Sequence, residues 1–136
     1  MAANLSAVTA ADVAMVQKIE TFDAPAAEDL VAGDVVRLDT TYGTLTHAND
    51  TNAAEGRAAG ILLNTAATGR TGTVLRKGIV DLGDIFSALT YDQAVYLSDT
   101  DGLLRDASGS TGKIIGAVVP AHAYVGTSDK LLRVDL

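Results

Sequence analysis

The stretch DVVRLDTTYGTLTHA, residues 34–48, is answered by QAVYLSDTDGLLRDA, residues 93–107. Val36, Leu38, Thr41, Gly43, Leu45 and Ala48 recur as Val95, Leu97, Thr100, Gly102, Leu104 and Ala107, at a constant offset of 59 positions (36 to 95, 48 to 107). Leu30 and Leu89 keep the same offset. Gly56, Arg57, Gly60, Leu62 and Leu63 then match Gly112, Lys113, Gly116, Val118 and Val119 at an offset of 56. The second copy's loop is therefore three residues shorter, a change that loop-closure entropy tolerates. VLRKGIVDL (74–82) is echoed more faintly by LLRVDL (131–136). Half of a small β-domain cannot bury its apolar face alone, so two related halves are expected to cover each other about a pseudo-twofold axis.

The local grammar is that of strands and turns. Val35–Leu38 alternates after a turn signal at Ala32-Gly33-Asp34, and Tyr42-Gly43 marks the next turn. Asp101-Gly102, flanked by apolar runs, is the strongest hairpin signal in the chain. HANDTNAAEGR and ASGSTGK read as loops. AAGILLN, IIGAVV and KLLRVDL read as short strands, and RTGTVLRKGIVDLG as one long strand or two joined by a bend at Gly78. DIFSALTYDQ is a single helical turn or an irregular crossover. The expected fold is all-β: a small β-barrel or sandwich built from two related β-hairpin repeats, residues 30–82 and 89–136. An N-terminal arm, residues 1–24, precedes the β-domain at 25–136. Within it VAMVQKIETF fits a helix or a strand; Thr21, Phe22 and the nearby Pro25 favour an extended arm with apolar residues on both sides.

Composition narrows the function. Of 136 residues 48% are hydrophobic, but aromatics are 4% and Trp is absent, so the core must come from Val, Leu, Ile and Ala. The net charge of −7 and the absence of a basic run speak against nucleic-acid binding. Without cysteine there is no disulfide or thiol chemistry. No apolar run reaches membrane-spanning length, and the N-terminus is a poor signal peptide, so the expectation is a chain made in the cytoplasm with no membrane partner.

The search for chemistry finds no catalytic constellation, and the chain is not expected to be an enzyme. His47 lies near Asp50 in THAND, and His122 lies in PAHAY; each reads as a loop or strand-end histidine. SDTDGLLRD lacks the distal Glu of an EF-hand and reads as a hairpin tip. GRTGTVLRKG lacks the GxxxxGK[ST] pattern of a phosphate loop. No cofactor or metal is expected.

The series VQKIETFDAPAAEDLVAGDVVRLD, AAGILLNTA, GTVLRKGIVDLG, AVYLSDTDGLL and GKIIGAVVPA resembles the capsid decoration (cement or head-fibre) proteins of tailed bacteriophages over nearly the whole chain. The resemblance implies a virion protein on the outer capsid surface that bridges and stabilises major capsid protein subunits, as a homo-trimer. It makes the arm residues Val13, Met15, Val16, Gln17, Lys18, Ile19 and Phe22 the expected capsid contacts, with strand addition to a neighbouring sheet as the means. The alternative is a head-fibre or tail-associated receptor- or glycan-binding domain, which would call for more exposed aromatics than four Tyr and two Phe supply.

Overall fold

The computed structural model describes residues 5, 8, 10–108, 110–120 and 130–136. Among these described residues nine strands run in chain order: β1 (Ala14–Pro25), β2 (Val35–Leu38), β3 (Leu45–His47), β4 (Ala58–Leu62), β5 (Thr71–Asp81), β6 (Ala94–Leu97), β7 (Leu104–Arg105), β8 (Ile114–Pro120) and β9 (Lys130–Asp135). Single 3-10 turns lie at Ala10–Asp12 and Gly83–Phe86. The strands form one antiparallel sheet in the order β3-β2-β4-β5-β9-β8-β6-β7, with β1 added to β5. The sheet curls into a half-barrel, so the chain is all-β as its turn density requires.

The repeat is present in the hydrogen-bond register. Val36 pairs with Gly60, and Val95 with Gly116. Arg37 then pairs with Ala58, and Tyr96 with Ile114, so each ladder skips one residue, Ala59 or Ile115, at the same place. Leu38 faces Leu45 as Leu97 faces Leu104. The closing strands follow at an offset of 58: Ile61 pairs with Leu75, and Ala117 with Arg133. Aligning the two Leu-Arg dipeptides, 75–76 and 132–133, would give 57, and a slip of one residue exchanges the faces of a strand. Each hairpin also turns alike. The Asp39 carboxylate accepts the Thr41 amide (2.7 Å), and the Ser98 hydroxyl accepts the Thr100 amide (2.9 Å). Gly43 and Gly102 supply the positive φ, 67° and 73°.

The packing departs from a pseudo-twofold. Val36, Leu45, Leu62 and Val74, with Leu30, form a smaller apolar cluster under Phe22, Ala24, Ala26 and Ala66. Their counterparts Val95, Leu104, Val118 and Leu132, with Leu89, belong instead to the main core. There they meet the opposite face of the first repeat: Val35, Ala48, Ile61 and Leu75. Equivalent faces do not cover each other. The second repeat seats its front on the first repeat's back, and the first repeat's front is capped by the chain that precedes β2. Two features permit this. Val74 and Leu75 are consecutive in β5, so they point to opposite faces, and both are buried, one in each cluster. The second repeat's own back carries Ala94, Ala117 and Arg133 where the first has Val35, Ile61 and Leu75.

Candidate interaction surface

Val13 immediately precedes β1 and the other arm residues lie in it; the strand is extended and pairs along β5 from Ala14↔Asp81 to Pro25↔Thr71. It is tied down at both ends: Val13 packs on the main core, and Phe22 on the smaller cluster. Between these anchors the strand is exposed on both faces. Met15 and Gln17 pair with the adjacent Val80 and Ile79, so Val16 is an extra residue; Lys18 and Glu20 pair with the adjacent Gly78 and Lys77, so Ile19 is another. Each bulge resets the alternation of the strand. Val16 and Ile19 are 47% and 67% exposed, and Met15 is 46% exposed.

Val16 joins Gln17, Ile79, Pro120 and Leu131 around a shallow groove of about 320 Å³. Ile19 joins Gln17, Ile79, Lys77, Arg133 and Asp135 around another of about 220 Å³. The expected contacts Val16, Gln17 and Ile19 are thus brought to one surface, while Val13 and Phe22 serve as anchors. Ile79, Leu131 and Pro120 complete the surface, and sequence reasoning passed over them because they lie in strands that read as core. Alternation was the available signal for Ile79, which is out of phase with the buried Val80; Leu131, itself largely buried, offered none. Ion pairs brace the rim: Lys77 Nζ to Asp135 Oδ1 at 2.8 Å and Arg76 Nε to Glu20 Oε2 at 3.0 Å. The Lys77 hydrogen bond, then its charge, lowers the Asp135 carboxyl below its ordinary range.

The histidine of THAND has other partners than Asp50. His47 Nδ1 lies 3.2 Å from Glu28 Oε1, and Nε2 lies 3.0 Å from Asp34 Oδ2. Glu28 Oε2 also accepts the Thr46 hydroxyl and the His47 amide. The Thr46 hydrogen bond is the largest influence holding the Glu28 carboxyl below its ordinary value; burial opposes it, and the His47 amide and ring charge add to it. Asp50 is fully buried and accepts the Thr111 and Gly112 amides, both at 3.0 Å, and the Thr111 hydroxyl. It stitches the first repeat's loop to the second's. His122 lies outside the described residues. Asp101, at the hairpin tip, accepts from Asn49 Nδ2 at 2.6 Å. Among the described residues no group of three His, Asp or Glu side chains is disposed to hold a metal ion, and no helix is long and apolar enough to cross a membrane.

No family model, curated protein or solved structure matches the chain.

Proposed function

We propose that this chain is a virion structural protein, a decoration or cement protein that binds the outside of an assembled phage capsid and bridges major capsid protein subunits. The observation that supports this reading most directly is β1: a strand anchored at Val13 and Phe22 whose two bulged residues, Val16 and Ile19, present apolar side chains to solvent. Exposed large apolar side chains gathered on one surface suit a protein contact. The mode of contact differs from free strand donation. The arm's pairing capacity on one edge is already engaged by β5, and bulges break the regularity that an added strand would need. Docking through side chains on the Val16–Ile19–Ile79 surface is the mode the geometry favours. A trimer on the shell, assembled after synthesis in the host cytoplasm, belongs to the same reading, and many weak contacts per shell would act together.

The test is to add the purified chain, and the double variant Val16→Thr/Ile19→Thr, to undecorated capsids. Wild-type protein binds and raises the temperature of genome release; the variant folds and binds at least tenfold more weakly. Unchanged release at saturating occupancy would refute the cement role and favour the head-fibre or tail-associated receptor-binding alternative.

A further inference from the structure

We propose that His47 is a proton-operated latch that holds the second repeat's hairpin tip against the first repeat. The ring is gripped from two sides by Glu28, in the segment before β2, and by Asp34, in the turn leading into β2. A carboxylate accepts and does not donate, so only a ring protonated on both nitrogens satisfies both contacts. A neutral ring turns a lone pair toward one of the two carboxylates. The ring also lies flush against the tip of the β6–β7 hairpin: a Cβ built on Gly102 would sit 2.8 Å from His47 Cδ2 and 3.3 Å from Asp34 Oδ1.

The residues next to the pair hold that tip. Val35 N–H donates to Gly102 O at 3.1 Å, and Gly102 N–H donates to Ala48 O at 2.9 Å. Of the charged groups near the tip, Asp101 is bound by Asn49, Asp99 accepts the Ser110 amide and hydroxyl, and Arg105 follows in β7. The charged groups in contact with the ring, Glu28 and Asp34, are both acceptors. The equivalent tip of the first repeat is free of such a contact, because a Cβ on Gly43 would meet nothing within 4 Å. The latch is a feature of the junction between repeats, not of the hairpin itself.

The sign follows from the proton. The clamp is closed while the ring is charged and the carboxylates are ionised, and it opens as rising pH removes the ring proton. The test compares wild type with His47→Gln across pH about 5.5 to 8, the window in which imidazoles ordinarily titrate. Melting temperature should fall with pH in the wild type relative to the variant, by on the order of 2–4 °C. Protection of the Gly102 amide, corrected for intrinsic exchange, should fall over the same range. Should His47→Gln not fold, Glu28→Gln keeps the ring and removes one acceptor, and it should reduce the pH slope. Ring ¹⁵N shifts of the wild type at pH about 5.5 give a direct reading: two protonated nitrogens uphold the latch. A neutral ring there, or parallel pH profiles of wild type and variant, would overturn it.

Discussion

Gly116 in β8 lies so close to the neighbouring β9 that a Cβ would sit 1.9 Å from the Arg133 carbonyl oxygen, and Gly60 in β4 stands in the same relation to Leu75 in β5, at 2.2 Å. Backbone cannot yield as a side-chain end can. Gly116→Ala should cost about 3 kcal/mol or more in denaturant melts, toward the upper end for overpacking. Gly43→Ala meets open space and should cost only about 1 kcal/mol for its positive φ. Equal costs would mean that the strands can separate at Gly116 without penalty. The same scale governs acid sensitivity. Glu28 titrates below its ordinary value of 4.5 in the fold, chiefly through the Thr46 hydroxyl. The unfolded chain then binds the proton more readily, so this contribution is complete above 4.5 and is lost as pH falls through the lower folded value. The stability gap between wild type and Glu28→Gln should be present near neutrality and close in acid; a gap independent of pH would contradict the assignment.

At the scale of elements, β1 is the strand whose role the sequence least disclosed. Its apolar residues fall on both sides, and no alternation rule separates a free arm from an edge strand broken by bulges. A bulge is created by the partner's register, and nothing in VQKIETF marks Val16 and Ile19 as the extra residues. The hairpins were legible for the opposite reason. Asp101-Gly102 and Tyr42-Gly43 are local turn chemistry, and Gly60 and Gly116 recur because the close strand approach they permit recurs. Since β1 flanks β5 along its length and packs Val13 and Phe22 on the two apolar clusters, removing residues 1–24 should lower stability by at least roughly 2 kcal/mol. Val16→Thr and Ile19→Thr, which touch only the exposed surface, should stay within about 0.5 kcal/mol of wild type. Thermal and denaturant melts of the three variants separate the strand's structural share from its surface share. A truncated chain as stable as the full one would show that β5 does not need the strand.

For the whole molecule, the repeat's most informative feature is the difference between its copies. The duplication predicted two halves covering each other, and the register bears out the duplication; yet front packs on back, an arrangement that does not close on itself. Such a stack has an open end, and end units of stacked repeats need a polar outer face. The second repeat's back avoids a large apolar face by small size and charge: it carries the half-buried Ala94 and Ala117 and the exposed Arg133, where the buried back of the first has Val35, Ile61 and Leu75. Pattern alone could not assign these positions, because small residues in strands fit a tightly packed core as well as a solvated face. The structural assignment makes a strong prediction. The triple variant Ala94→Val/Ala117→Ile/Arg133→Leu should keep the half-barrel, since none of these side chains points into the core, and should gain an exposed apolar β-face of the kind that seats a repeat. Such a face drives association, so the variant should elute as a concentration-dependent oligomer in size-exclusion chromatography while wild type, run in parallel, does not shift in the same way. A variant that remains folded with the wild-type elution profile would show that the two backs are not equivalent surfaces, and that the open end of the stack is not closed by its small and charged residues.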